Sequence, residues 1–153
     1  MNHATDHAPA EMGGSYRMGF TVGEHSAGHM RRILRLFLDR WEMPWLADAA
    51  ELALTELVAN VVRHVPGRGC GVLILRRPEG LRVEVSDDSP EQPRPCEGDD
   101  VLAEGGRGLL LVEAVTDRWG TEPRAVGKTV WFECDDLPRP LRRREAVRGA
   151  TRR

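Results

Sequence analysis

The stretch from Glu51 to Val65 reads ELALTELVANVVRHV. Apolar side chains recur at Leu54, Leu57, Val58, Val61, Val62 and Val65, the three- and four-residue spacing of a helix that buries one face. Glu56, Asn60 and His64 follow one another at intervals of four, so they form a polar stripe beside that face. An acid and an amide one turn apart on a core helix suit a base and a ligand for a metal or a water. On its own the pair is more often a solvated helix face. Two later stretches shift that balance: VEVSD at 83–87 and GGRGLLLV at 105–112.

The totals bound what surrounds this helix. A chain of 153 residues suffices for one domain with a real core. Its hydrophobic fraction of 41% and charged fraction of 30% are those of an ordinary globular protein. With a net charge of -2 and a pI of about 6.2, no overall field favours nucleic acid or an anionic membrane. No apolar run approaches the roughly 18 residues of a membrane span, and the N-terminus lacks a basic-then-apolar leader pattern. These readings lead to the expectation of a cytoplasmic protein. Cys70, Cys96 and Cys134 are odd in number and widely spaced, which suggests neither a disulfide framework nor a zinc site.

Taken in order, residues 1–14 are polar, rich in Gly, Pro and His, and read as a disordered tail. Tyr16 to Val22 alternates weakly and reads as a first strand. Ser26 is an expected N-cap for a helix that runs to Trp41 with Met30, Ile33, Leu34, Phe37 and Leu38 buried. Pro44 suits the first turn of the next helix, which is the opening stretch. GVLILRR (71–77) and LRVEVSD (81–87) flank the turn signal Pro78-Glu79-Gly80 and predict an antiparallel hairpin.

Residues 88–104 form a long Pro-, acid- and Gly-rich loop, a length that usually marks a lid or disorder. A helix from Gly108 to Val115 follows a glycine-rich turn, and two last strands cover 117–121 and 127–134. Residues 137–153 are basic and read as a second disordered tail. The ordered domain is therefore 15–136. Its order, β-α-α-β-β-lid-α-β-β, predicts a two-layer α/β sandwich with a mixed, mainly antiparallel sheet and helices on one face.

Gly105, Gly106 and Gly108 precede a helix N-terminus, where backbone N–H groups stand free and an anion can approach closely. Asp87 ends an apolar alternating strand, where a carboxylate can accept from an exocyclic amine. Thr129 lies in the last strand. Lys128, the sole lysine, stands beside it, either near a bound nucleotide or, the favoured reading, simply exposed on the strand.

These stretches together resemble the motifs of the Bergerat-fold ATP-binding family (GHKL), and the chain is most similar there to the anti-sigma-factor serine kinases. Glu56-Leu57-Val58-Ala59-Asn60-Val61-Val62-Arg63-His64 resembles the first motif, Val85-Ser86-Asp87-Asp88-Ser89-Pro90 the second, and Gly106-Arg107-Gly108-Leu109-Leu110-Leu111-Val112 the third. Gly127-Lys128-Thr129-Val130-Trp131-Phe132 resembles the strand that carries a threonine near adenine.

The resemblance implies ATP and Mg²⁺ as cofactors, with Asn60 as the metal ligand and Glu56 as general base toward a serine hydroxyl or water. It implies that Asp87 accepts from adenine N6, partly through a water also held by Thr129. Gly106, Arg107, Gly108 and Leu109 would line the phosphates. The implied partners are ATP or ADP, a sigma factor, an anti-sigma-factor antagonist and, through α1 or the first strand, a second copy of the chain. A non-catalytic nucleotide-dependent binding module is the alternative. The chain departs from the pattern at Ser89 and Pro90, where the family carries glycine. The lid is acidic, and acids near a triphosphate repel it unless a cation or a partner offsets them.

Overall fold

The computed structural model describes residues 14–23, 25–65, 67, 69–89 and 107–137. Among these residues, five strands and three α-helices run in the order β1 (Ser15–Thr21), α1 (Ser26–Arg40), α2 (Ala47–His64), β2 (Gly69–Arg77), β3 (Gly80–Asp87), α3 (Arg107–Val115), β4 (Arg118–Pro123) and β5 (Lys128–Asp135). A 3₁₀ turn at Pro44–Leu46 feeds directly into α2, so Pro44 does open that helical segment. The strands form one sheet in the order β1-β2-β3-β5-β4. Every described pairing is antiparallel, so the expected mixed sheet is an antiparallel one. The architecture is a two-layer α/β sandwich.

Strand alternation sorts the sheet into two faces. On one, Tyr16, Met18 and Phe20 of β1, Val72 and Ile74 of β2, Val83 and Val85 of β3, and Val130, Phe132 and Cys134 of β5 meet the helices. From the helix layer come Met30, Leu34 and Leu38 of α1, Leu54, Leu57, Val58 and Val61 of α2, and Leu109 and Val112 of α3. Helix α2 is the middle one. Its α1 side is tied by Arg35, whose Nε and Nη2 donate to the two oxygens of Glu51 at 3.1 and 2.7 Å. Its opposite side meets the start of α3. Tyr16, Phe37 and Trp41 form a tilted aromatic row that joins β1 to α1, with centroids 5.0 and 5.2 Å apart.

Two local expectations change. Ser26 is the first residue of α1 rather than its cap, and its Oγ accepts from the Gly23 N–H at 2.8 Å. Val62 is 38% exposed. At 100° per residue it sits about 80° round the helix from Leu54, on the margin of the apolar stripe rather than within it. The expected lid at 88–104 falls almost wholly outside the described residues, as do both expected tails. Among the described residues, no helix is long and apolar enough to cross a membrane.

Candidate functional site

The polar stripe of α2 and the first turn of α3 meet. A side chain at Gly108 would place its Cβ 2.8 Å from Glu56 Oε2 and 3.7 Å from Asn60 Oδ1. Real Cβ atoms do not approach oxygen so closely, so any larger residue there must push Glu56 aside. The absent side chain is what lets the first turn of α3 lie against the stripe. The N–H groups of that first turn have no acceptor inside the helix, so free donors, a carboxylate and an amide share one spot. Among the described residues Glu56 forms no hydrogen bond or ion pair. His64, the third member of the stripe, is exposed at the end of α2 and takes no part.

Asn60 Oδ1 is buried and has no hydrogen-bond partner among the described residues. A buried acceptor left bare costs about 1–3 kcal/mol. A hard carbonyl oxygen of this kind fits a hard divalent cation such as Mg²⁺. Leu109 is 1% exposed with its side chain in the core, so only its backbone can serve a ligand. Arg107 opens α3, but its side chain and all of Gly106 lie outside the described residues.

A second cluster stands at the end of the sheet. Asp87 follows Val83 and Val85 on the helix-facing side of β3 and is 4% exposed. Its Oδ1 accepts the Ser89 N–H at 2.9 Å and the Lys128 ammonium at 3.0 Å. Lys128 is also 4% exposed, which overturns the expected exposed strand residue. Cross-strand register explains it: Asp87 pairs directly with Lys128, one step beyond the core pair Val85–Val130, so both side chains point inward. A carboxylate and an ammonium buried together are stable only as a pair. Gly127, at φ +80, lets β5 start hard against the Asp87–Asp88 backbone, where a Cβ would collide with the Asp87 carbonyl.

Thr129 goes to the other face. It pairs with Ser86, and the two hydroxyls lie 2.8 Å apart. A water shared by Thr129 and Asp87 would therefore have to reach through the sheet. The polar neighbour of Asp87 is Lys128 instead. Cys70 is a further neighbour, and no motif in the sequence singles it out. It falls opposite Asp87, one place beyond the Gly71–Ser86 pair. Burial and the Asp87 charge push its thiol up to about 12. The available signal is the strand register itself, because Cys70, Asp87 and Lys128 form one row across β2, β3 and β5.

Comparison with known proteins identifies the family. Residues 23–134 match the family model described as the histidine kinase-like ATPase domain. Over 83 residues the chain is 36% identical to an uncharacterized protein of Streptomyces coelicolor, a match that covers 52% of this chain and 79% of that protein.

Proposed function

The chain belongs to the histidine kinase-like ATPase domain family, and from that premise we propose that it is an ATP-binding regulator that uses Mg²⁺. The observation that carries this reading is the meeting of Gly108 with Glu56 and Asn60, together with the bare buried oxygen of Asn60. Asn60 would hold the cation against the phosphates. When bound, Mg²⁺ supplies positive charge that offsets the triphosphate and the carboxylates around it. Gly106, with Arg107, Gly108 and the Leu109 backbone at the start of α3, would supply N–H donors to phosphate oxygens. Asp87 would accept from the adenine amine with Oδ2, the oxygen that neither Ser89 nor Lys128 uses.

The finer reading is a serine kinase similar to the anti-sigma-factor kinases. Glu56 takes the proton from a serine hydroxyl on an antagonist protein. The hydroxyl oxygen bonds to the γ-phosphorus, and the bond to the β-bridging oxygen breaks, releasing ADP. The same protein would otherwise sequester a sigma factor, and pair with a second copy through β1 or α1. Glu56 supports this over a purely binding role, because it is a carboxylate beside the donors and among the described residues has no partner to neutralise it.

Titration calorimetry with ATP and Mg²⁺ tests the site. Wild type should bind, Asp87→Asn should lose binding, and Asn60→Ala should bind weakly. Glu56→Ala should keep ATP and lose phosphotransfer to an antagonist protein; phosphotransfer that survives this change removes Glu56 as the base. No binding by folded wild type at millimolar ATP would overturn the nucleotide reading.

A further inference from the structure

We propose that Lys128 reads the nucleobase, donating to a ring nitrogen while Asp87 accepts from the neighbouring exocyclic amine. The proposal rests on the nucleotide reading above and names a contact that the reading does not include. Three observations carry it. Lys128 and Asp87 are both 4% exposed on the helix-facing side of the sheet, in direct cross-strand register. The ammonium uses one N–H on Asp87 Oδ1 at 3.0 Å and meets the Ser89 carbonyl only at 3.5 Å. Thr129, the other polar candidate on β5, is turned to the opposite face and bonded to Ser86.

The donor and acceptor count then matters. An ammonium has three N–H donors, and the carboxylate has two oxygens. The Ser89 N–H and Lys128 both land on Oδ1. Among the described residues, Oδ2 and the third N–H of Lys128 have no partner. Side by side, one open acceptor and one open donor match the edge of adenine, where the N6 amine gives a proton and N1 takes one. Lys128 also holds Asp87 in place, through the 3.0 Å bond to Oδ1. Burial strengthens both contacts, because each is charge-assisted and little water competes.

The test uses ligands first, so that it does not depend on a variant that must fold. ATP, 1-deaza-ATP (N1 replaced by C–H) and 7-deaza-ATP are titrated by calorimetry into the full chain with Mg²⁺. Losing one charge-assisted bond should weaken 1-deaza-ATP about tenfold or more relative to ATP. 7-deaza-ATP, altered on the other side of the ring, should stay within about threefold, the scatter expected without a lost bond. Lys128→Met, checked for folding by thermal melting, should bind ATP more weakly and no longer tell ATP from 1-deaza-ATP. Equal binding of ATP and 1-deaza-ATP by wild type overturns the proposal and leaves the nucleotide reading standing. So does unchanged or tighter ATP binding by Lys128→Met, which would make the lysine a plug. If folded wild type binds none of the three, the nucleotide reading itself falls, and the proposal with it.

Discussion

Strands β3 and β5 each bury a carboxylate, on opposite faces of the sheet, and the two are finished differently. Glu133, on the outer face, is 6% exposed and surrounded. Arg82 Nη1 reaches its Oε2 at 3.2 Å, Arg118 Nε reaches Oε1 at 2.9 Å, and Arg77 closes the ring. Arg82 in turn lies over the Trp131 ring at 4.2 Å. Asp87, on the helix face, has two donors on one oxygen and nothing on the other among the described residues. A saturated carboxylate fastens strands together; a half-saturated one is held still and left able to accept. Burial is nearly equal, so burial alone does not mark a site. The unused valence does.

The largest effect should come from closing the open carboxylate. Asp87→Asn replaces the acceptor with a group that can donate and removes the charge that Lys128 offsets. ATP binding should fall about a hundredfold or more, the sum of a lost charge-assisted bond and an unpaired buried ammonium. Glu133→Gln should leave ATP affinity within about threefold, since no contact to a ligand is involved. Calorimetry on the two variants side by side checks this. Equal losses would erase the functional difference between the faces.

Helix α2 repeats the contrast on its own two flanks. Toward α1, Glu51 is gripped through both oxygens by Arg35. Toward α3, Glu56 and Asn60 stay open beside Gly108. Gly108→Ala should therefore separate stability from function. The atom it strikes is the end of a flexible side chain, and alanine gains about 1 kcal/mol over glycine in a helix. The melting temperature should shift by no more than a few degrees. With Glu56 displaced and the first turn of α3 held off, ATP binding or turnover should drop about tenfold. A large drop in melting temperature would mean that the close approach is structural.

Much of this fold is legible in local sequence pattern. The apolar spacing of α2, the hairpin around Pro78-Glu79-Gly80, and the apolar run of α3 are local signals, and the structure repeats their order. The motif resemblance points to Glu56, Asn60 and Gly108, which the structure brings together, and to Asp87, which it buries. What local pattern does not carry is cross-strand register. Lys128 reads as exposed because a lone lysine usually is. It is buried because β5 pairs with β3 so that residue 128 meets residue 87, and Thr129 turns away for the same reason. Cys70 enters the row by the same rule. A shift of one residue in that pairing would exchange the roles of Lys128 and Thr129.

Asn60→Ala sharpens the contrast on α2 with a smaller effect. Among the described residues the buried amide oxygen has no donor, so deleting it removes an unsatisfied group and should leave the melting temperature unchanged or slightly higher. ATP affinity should lose most of its dependence on Mg²⁺, about five- to tenfold, as expected when one ligand of a hard cation is lost. Titrations with Mg²⁺ and with EDTA give the comparison. A variant that keeps the full Mg²⁺ effect would remove Asn60 as the cation's ligand.

The smallest effect, and the one that tests the saturated face, is acid sensitivity. Burial alone would raise the Glu133 carboxyl; bonds from Arg118, Arg82 and Arg77 outweigh it and hold the group below its ordinary value of 4.5. A carboxyl held lower in the folded chain than in the unfolded one adds stability that is fully present above the unfolded value. That stability is lost as pH falls through the folded value. Glu133→Gln has no such group to titrate. Its deficit against wild type should be about 1–2 kcal/mol at neutral pH, typical of a charge-assisted pair with partly exposed guanidiniums. The deficit should shrink once pH drops below about 4.5, the ordinary carboxyl value. Urea melts of both proteins across pH 3–7 read the difference directly, and other carboxyls cancel in the subtraction. A deficit that is flat with pH would mean that the three arginines hold Glu133 by shape rather than by charge. The outer face would then be fastened by packing of Arg82 on Trp131 and not by its ion pairs.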